Sequence, residues 1–330
     1  MRSQKKGRRD RRYPALHFEL AEYGFEVYKS AVYLEELLEK EGFTVERGIG
    51  GMETACGHSA LVAGTVGAAI IAKEYLKETG KTGTVKIFGC PAEETGFGKS
   101  FMVKRGCFEG LDMCFTWHPM DHTSLWGRTL AYYKVRFDFK GITAHAGGAP
   151  ELGRSALDAC ELMNVGVNYL REHIISTARV HYAYLDAGGE APNIVQDQAS
   201  LLYFIRAPKM ADCGAILARV KKIAQGAALM TETDVNIKVF GGLHDNLPNP
   251  TASRILSDAF VAEGRPDFTE EDFAKRPLIT SVEAVDDRVM ERQYTASTDV
   301  GDVSYIVPTT QYSATTSIPG TGLHTWQFAA

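Results

Sequence analysis

Apolar residues recur at helical spacing in the first part of the chain and predict two helices. The first is predicted over 18–41 with Gly42 as its stop, and the second over 59–75, ended by Gly80. The apolar positions of the first helix are Val27, Tyr28, Ala31, Leu34, Leu37 and Leu38. The second helix is rich in alanine and valine. The first segment is therefore predicted to be an amphipathic helix.

A strand, a helix and a second strand are predicted next. Apolar runs at 83–89 and 111–117 indicate buried strands, and they bracket a helix at 97–106. Parallel strands are joined by such a crossover helix. This part of the chain is therefore expected to form an α/β domain with a parallel sheet.

The pattern changes after about residue 127. Residues 131–139 alternate between apolar and polar side chains, as in a half-buried strand. The elements predicted after it are a helix at 153–173, strands at 178–187 and 199–206, a helix at 211–227 and a strand at 233–240. The order β-α-β-β-α-β is that of ferredoxin-like domains.

This change of pattern predicts two domains. Residues 128–240 are expected to form an inserted α+β domain, with two helices on one face of its sheet. The discontinuous remainder, 1–127 and 241–330, is expected to form the larger domain, and Asn246-Leu247-Pro248-Asn249-Pro250 is the predicted turn back into it. A length of 330 residues also favours two domains over one.

Composition and charge narrow the classes of partner. The formal net charge of −5 gives no reason to expect nucleic acid or an anionic membrane as a partner. The basic segment 2–12 is compatible with a basic arm, but a solvated terminus is the simpler interpretation, and it lacks the apolar region of a signal peptide. The sequence contains no run of about 18 apolar residues, so no membrane span is expected. The six cysteines are scattered without the spacing of a disulfide scaffold, which favours a reducing cytoplasm.

Five residues of the types that bind metals recur where regular structure should break. They are Cys56, His58, Glu94, His118 and His324. Thiolate, imidazole and carboxylate together suit a borderline divalent ion such as Zn²⁺ or Mn²⁺. Glu94 and His118 follow predicted strands, at the edge where α/β sheets bind ligands. Glu93, beside Glu94, is left to transfer protons, so the set is typical of a metal-assisted hydrolase.

Each of these residues also has a structural interpretation. A single cysteine is usually a small buried hydrophobe, and a single histidine is more often a satisfied core or surface residue than a ligand. Cys56 and His58 lie near a predicted helix N-terminus, whose field favours a thiolate. Their local contexts, taken together, make the metal hypothesis stronger than any one residue does.

Longer motifs resemble a known family. The carrying segments are Ala55-Cys56-Gly57-His58, Pro91-Ala92-Glu93-Glu94-Thr95-Gly96, Thr116-Trp117-His118-Pro119, Gly141-Ile142-Thr143-Ala144-His145-Ala146, Ala191-Pro192-Asn193-Ile194-Val195, Ser297-Thr298-Asp299-Val300-Gly301-Asp302 and His324-Thr325-Trp326. They span most of the chain in order. The chain resembles the amidohydrolase branch of the aminoacylase/carboxypeptidase metallopeptidase superfamily, and within it the group of the B-type p-aminobenzoyl-glutamate hydrolase subunits.

This resemblance implies a fold and a metal centre. The fold would be a zinc-peptidase-like catalytic domain, with a mixed, largely parallel sheet flanked by helices, and an inserted ferredoxin-like lid or dimerisation domain. Cys56, His58, Glu94, His118 and His324 would hold one or two divalent ions, Mn²⁺ or Zn²⁺. Glu93 would be the general base that takes a proton from water and passes it to the leaving nitrogen.

The resemblance also implies roles for residues of the inserted domain. His145 would stabilise the oxyanion in the active site of a partner protomer, although a structural cap is the alternative. Asn193 and Arg206 would bind substrate, Arg206 as a bidentate clamp on a carboxylate, or else Arg206 pairs with a surface acid. Asp299 and Asp302 would hydrogen-bond backbone or ligand histidines rather than bind metal. A homodimer follows from this, and the need for a related second subunit stays open.

The chain departs from the family pattern in three places. First, family members carry several tens of residues between the equivalents of Ala55 and Cys56. Second, they continue with a long helical tail after the equivalent of His324. Third, the segment 264–292, which precedes Ser297, is shorter here than the family pattern leads us to expect. Two explanations compete. The sequence is either assembled from parts of a longer protein, or truly shortened. A real loss of the core strand before Cys56 would leave strand edges unpaired.

The activity expected from this resemblance is cytoplasmic, metal-dependent hydrolysis of the amide bond of an N-acyl or aroyl amino acid. p-Aminobenzoyl-glutamate is the leading small-molecule substrate. The alternatives are a dipeptidase or aminoacylase with the same metal centre, or an inactive metal-binding subunit.

Overall fold

A computed structural model describes residues 28–46, 58–90, 92–93, 97–120, 123–125, 127–263 and 296–316. Its helices are α1 Tyr28–Lys40, α2 His58–Thr79, α3 Gly98–Lys104, α4 Ala156–Leu170, α5 Met210–Thr231, α6 Pro250–Glu263 and α7 Val300–Ser304. Its strands are β1 Cys114–Met120, β2 Ser124–Leu125, β3 Ala131–Lys140, β4 Arg179–Asp186, β5 Gln198–Ala207, β6 Asp234–Leu243 and β7 Thr309–Thr315. Short 3₁₀ helices lie at Pro150–Leu152 and Arg171–His173.

The chain divides into two compact units. The first comprises Met1–Gly127, Leu247–Gln293 and Asp302–Ala330, and the second comprises Arg128–Asn246 with Tyr294–Gly301. In the second unit the ends of the insertion are tied together, because Arg128 Nη1 donates to Asp245 Oδ2 at 3.0 Å and Asn246 N donates to Thr129 Oγ1 at 3.0 Å.

The first unit contains a mixed three-stranded sheet in the order β1-β7-β2. β1 and β7 are parallel over seven residue pairs, from Cys114 with Thr309 to Met120 with Thr315. β2 is antiparallel to β7. The α/β class with a mixed, largely parallel sheet is therefore confirmed for this unit.

The two helices predicted at the start of the chain are present in the described residues. α1 ends at Gly42, whose φ of 78° allows Gly42 N to bond Glu39 O at 2.9 Å and Phe43 N to bond Leu38 O at 3.0 Å. α2 runs on to Thr79 and ends at Gly80, also with a positive φ. Residues 18–27 of the first predicted helix lie outside the described residues.

The strand predicted at 83–89 is wrong, because residues 81–90 form no strand and have no ladder partner among the residues described. Their apolar side chains are partly buried, and two of them, Phe88 and Cys90, pack against a small core. The rings of Phe88 and Phe108 are tilted by 43° with centroids 4.8 Å apart, and Phe108 is buried in this core with Met102 and Val303. An apolar run predicts burial, but it does not specify a hydrogen-bonded neighbour.

The strand predicted at 111–117 is displaced, since β1 begins at Cys114 and continues through His118 and Pro119 to Met120. His118 therefore lies within the strand, whereas the sequence pattern placed it directly after the strand. Proline lacks the N–H that a central strand must donate. β1 tolerates Pro119 because it is an edge strand of the described sheet.

The second unit has the predicted order β-α-β-β-α-β. Its antiparallel sheet has the strand order β4-β5-β3-β6, and β3 pairs with β5 over ten residues. α4 begins at Ala156, later than predicted, because Ser155 caps it and accepts a hydrogen bond from Asp158 N at 3.0 Å. The core lies between one face of the sheet and the helices α4 and α5. Its largest fully buried side chains include Phe137, Phe139, Met163, Leu201, Tyr203 and Ile205.

Candidate metal centre and substrate site

Trp117 fixes the first turns of α2 against the strand that carries His118. Trp117 Nε1 donates to Leu61 O at 3.0 Å, one turn after the start of α2 at His58. A Cβ added at Gly64 would lie 2.6 Å from Trp117 Cζ2, so the glycine permits this close approach. The start of α2 and the end of β1, which carry two of the predicted ligands, are thereby held in a defined arrangement.

His118 has the hydrogen bond expected of a metal-binding histidine. Its Nδ1 lies 2.8 Å from Pro119 O, and a carbonyl oxygen only accepts, so Nδ1 carries the proton. In the neutral imidazole the lone pair is then on Nε2. Histidine ligands usually donate their other N–H to a carbonyl or a carboxylate in this way. The chemistry of this donor therefore fits a divalent ion.

The turn that contains Glu93 has an unusual backbone. Ala92 is fully buried with a φ of 55°, and Phe97 has a φ of 62° immediately before α3. Residues other than glycine adopt positive φ at an energetic cost, and such positions cluster at functional sites. Glu93 itself is half-buried. The half-buried Glu93 therefore directly follows a residue with a strained backbone.

α3, which follows this turn, is anchored to α7. Ser100 Oγ donates to Asp302 Oδ2. This contact gives Asp302 a hydrogen-bond partner on α3, and the expectation that it binds no metal stays a prediction. Asp299, for which the same expectation holds, is fully buried.

Most of the predicted metal ligands lie outside the described residues. Cys56, Glu94 and His324 are not described, and for His58 only the backbone at the start of α2 is. No group of three or more His, Cys, Asp or Glu able to hold a metal ion occurs within the described part of the chain. His118 is the one predicted ligand with a described side chain, and the joint ligand set stays a prediction.

His145 and Asn193 lie on two neighbouring chain segments of the second unit. His145 forms an antiparallel bridge with Ile194, and Ala146 N donates to Asn193 O at 2.9 Å. His145 Nδ1 accepts a hydrogen bond from Gly147 N at 3.1 Å. In the neutral imidazole this leaves the proton on Nε2, and the side chain is exposed. His145 can therefore present one N–H donor to a substrate oxygen.

Arg206 has an environment suited to binding an anion. Its guanidinium lies 5.3 Å from the ring centroid of Tyr132 and 5.8 Å from that of Phe204. Nη1 donates to Ser297 Oγ at 3.0 Å, whereas Nε is buried and has no hydrogen-bond partner among the described residues. Burial lowers the pKa of this arginine from its ordinary value. A buried N–H without an acceptor is unfavourable unless a ligand supplies one.

The sheet separates Arg206 from the other two candidates of the second unit. Asn193 precedes β5, which begins at Gln198, whereas Arg206 is near its far end. Eight residues of extended chain span about 27 Å at about 3.4 Å per residue. Tyr132 and Ser297 were not predicted as site residues. Strand alternation could have placed Tyr132 on one face of β3, but its register with Arg206 comes from pairing, which the sequence does not display.

Comparison with known proteins identifies the family. Residues 35–310 match the family described as Peptidase family M20/M25/M40. The chain belongs to this family. It is 36% identical to the B-type subunit of p-aminobenzoyl-glutamate hydrolase from Escherichia coli (strain K12), over 93% of this chain and 80% of the relative. The aligned length of 386 residues exceeds the 330 of this chain, so this M20 relative carries residues without a counterpart here.

Other proteins match the chain at lower sequence identity. The chain is 30% identical to Xaa-Arg dipeptidase of Mus musculus over 77% of its own length, and spans 56% of that relative. Among solved structures, the YXEP protein of Bacillus subtilis, described as a dinuclear metal-binding peptidase from the M20 family, superposes with a TM-score of 0.61 at 16% identity, covering 92% of this chain and 87% of that one. An aminobenzoyl-glutamate utilization protein from Klebsiella pneumoniae gives a TM-score of 0.55 at 22% identity, covering 76% and 63%.

Membership of the M20/M25/M40 family confirms the predicted class, a metal-dependent amidohydrolase with an M20 peptidase fold. A divalent metal belongs to this class. Among the described helices, none has the length and apolar character that a membrane span requires.

Proposed function

We propose that this M20 chain hydrolyses the amide bond between an acyl or aroyl group and an amino acid, with p-aminobenzoyl-glutamate as the leading substrate. The observation that carries the proposal is the 36% identity to the B-type p-aminobenzoyl-glutamate hydrolase subunit across 93% of the chain. The strained turn beside Glu93 and the proton position on His118 support it locally.

The metal ligands in this proposal are Cys56, His58, Glu94, His118 and His324. A divalent ion held by them, Mn²⁺ or Zn²⁺, would polarise the amide carbonyl and acidify the attacking water. Glu93 takes the proton of that water and delivers it to the leaving nitrogen. His145 donates its Nε2–H to the developing oxyanion, and Arg206 holds a carboxylate of the amino acid through its guanidinium.

Two copies of the chain are needed to bring these groups to one substrate. His145 and Asn193 are about 27 Å along the sheet from Arg206. A substrate of the size of p-aminobenzoyl-glutamate cannot span this distance. A partner's His145 and Asn193 would therefore complete a site that uses Arg206 of the first copy. We propose a cytoplasmic homodimer. A second, related subunit is the alternative, because the A-type p-aminobenzoyl-glutamate hydrolase subunit of Escherichia coli (strain K12) also matches the chain, at 30% identity.

The exposed edge of the second unit supports this dimer. β4 is an edge strand of the described sheet, and edge strands carry unpaired backbone groups that can pair with another chain. Tyr182 and Leu185 on β4 are exposed, as are Val165 and Tyr169 on the neighbouring helix α4. Such a surface suits a second copy of the same chain.

The test of the activity is metal analysis combined with hydrolysis of p-aminobenzoyl-glutamate, with and without added Mn²⁺ or Zn²⁺. Glu93→Gln should retain the metal and lose a factor of about 10²–10⁴ in kcat, because a general base contributes this much. Glu109→Gln, at an exposed glutamate of the same unit, is the matched control and should have full activity. Full hydrolysis by Glu93→Gln would refute the mechanism.

The rivals give different results in this assay. Bound metal with turnover of dipeptides or N-acetyl amino acids, and none of the aroyl substrate, would favour a dipeptidase or aminoacylase. Bound metal without turnover of any amide would favour an inactive metal-binding subunit.

The dimer has its own test, which is complementation. Glu93→Gln and His145→Ala should each be inactive alone, whereas a mixture allowed to exchange subunits should recover part of the activity. One site of the mixed dimer would then have both Glu93 and the partner subunit's His145. A mixture as inactive as its components would exclude action across subunits.

A further inference from the structure

The face of the second unit's sheet that points away from α4 and α5 carries a row of polar side chains across its four strands. Ser200 on β5 is paired with Asp138 on β3 and with Asp186 on β4, and Asp138 is paired with Asn236 on β6. Leu201, the next residue, lies in the hydrophobic core, so Ser200 points to the opposite face. Directly paired residues project from the same face, which brings these polar groups together.

Ser200 is buried in this row without a hydrogen-bond partner. The residue is 4% exposed, and its Oγ makes no hydrogen bond to any residue that the structure describes. Buried hydroxyl groups are almost always paired, since an unpaired one loses its hydrogen bonds to water. This Oγ therefore indicates an occupant that supplies a hydrogen-bonding group, which the Oγ can accept from or donate to.

The row opens into a depression of about 520 Å³, a volume that suits a small ligand. We call it the acidic depression, and its charged residues are Asp138, Asp186, Asp197, Asp234, Arg136 and Lys140. Four carboxylates outnumber two basic groups, so the depression favours a cation.

The two carboxylates beside Ser200 are held in fixed orientations. Asp138 Oδ1 accepts from Arg136 Nε at 2.6 Å, and Asp186 Oδ1 accepts from Gly188 N at 2.8 Å. Within the described residues, Oδ2 of each carboxylate has no such donor. These two oxygens and Ser200 Oγ provide three acceptors.

We propose that the acidic depression binds a primary organic ammonium group, such as one end of an aliphatic diamine. An ammonium group has three N–H donors, which match Ser200 Oγ and the Oδ2 atoms of Asp138 and Asp186. Calcium takes six to eight oxygen ligands, so three acceptors suit this ion less well. None of its lining residues is among those proposed for amide hydrolysis.

The experiment is calorimetric titration of the whole protein with 1,4-diaminobutane, with n-butylamine and CaCl₂ titrated in parallel. Saturable binding of the diamine at one site per chain is expected. Ser200→Ala and Asp186→Asn should each weaken it about ten-fold or more, because each removes an acceptor for a charged donor. Asp212→Asn, in the first turn of α5 and outside the depression, should bind as the wild type does.

Thermal unfolding of Ser200→Ala provides a second readout. Without ligand this variant should melt at the wild-type temperature or above it, because it removes a buried hydroxyl that has no partner among the described residues. A lower melting temperature would show that Oγ already makes a stabilising bond, and would overturn the proposal. So would the absence of diamine binding, affinity unchanged in both variants, or CaCl₂ binding more tightly than the diamine with the same dependence on Asp186.

Discussion

Gly64 on α2 lies directly beneath the indole of Trp117, so close that a Cβ at position 64 would be 2.6 Å from Trp117 Cζ2. The same indole donates to Leu61 O at 3.0 Å. Trp117 immediately precedes His118, and α2 begins at His58. This contact therefore sets the distance between two segments that carry proposed metal ligands.

Replacement of Gly64 should disturb both stability and metal binding. Gly64→Ala forces the indole and α2 apart, which should cost about 1–3 kcal/mol in the free energy of unfolding. Gly67→Ala is the matched control, since a Cβ there meets nothing within 4 Å and should stabilise the helix by about 0.5–1 kcal/mol. Denaturant unfolding and elemental analysis measure the two effects. Equal stability of the two variants would contradict the proposed close packing.

A buried hydrogen bond in the second unit should depend on both of its partners. Tyr203 OH donates to Asn164 Oδ1 at 2.5 Å, and both residues are buried. Tyr203→Phe leaves that oxygen without this donor and should cost about 1–3 kcal/mol. In the double variant with Asn164→Leu the loss should be smaller than the sum of the single losses. Additive losses in denaturant unfolding would show that the two groups do not interact.

The protonation of His181 should report the charge of Arg206. Burial lowers the pKa of His181 below 6.5, and the nearby Arg206 lowers it further. The folded state thus binds the proton more weakly than the unfolded chain, so this residue's contribution to stability declines as the pH falls below about 6.5. Titration by NMR should show the lowered pKa, which Arg206→Gln should raise and Arg206→Lys should not. No difference between the two variants would exclude an effect of charge.

Replacement of Arg206 should show whether this residue acts in substrate binding or in the chemical step. Arg206→Lys keeps the charge but loses the planar pair of donors that fits a carboxylate. If Arg206 holds the substrate's carboxylate, KM for p-aminobenzoyl-glutamate should rise about ten-fold or more, while kcat changes less. An unchanged KM with normal folding would restrict Arg206 to its contacts with Ser297 and the two aromatic rings.

Two cysteines should resist chemical modification. Cys160 and Cys213 are fully buried, and burial raises the pKa of each thiol to about 12. The thiolate is the reactive form, so both should remain unmodified by iodoacetamide at about pH 8 in the native protein. Mass spectrometry of peptides from native and denatured protein measures this. Rapid native labelling of either residue would indicate that the core of the second unit opens.

The second unit was predicted well because each of its elements carries its own periodic signal. Alternation over 131–139 and helical spacing over 153–173 are local features, and the structure has β3 and α4 at these places. The apolar run at 83–89 carried no such information about a partner, and it forms no strand. Local periodicity therefore predicted the elements of the second unit, but an apolar run did not specify which backbones pair.

The candidate site was also only partly predictable from the sequence. The chemical types of its residues, such as the Glu93-Glu94 pair and the histidines at 118 and 145, can be seen in the sequence, and family membership follows from their order. Other features of the site cannot be seen in the sequence. They are the proton positions on His118 and His145, the aromatic rings around Arg206, and the lack of a partner for Ser200 Oγ among the described residues.

The sequence by itself thus determined the α/β class, the inserted β-α-β-β-α-β unit and the chemistry available to the protein, because these depend on residue type and local periodicity. Only the tertiary structure decided that His145 lies beside Asn193 and far from Arg206. The physical reason is strand register, since pairing between residues distant in sequence fixes which side chains share a face and an end of the sheet.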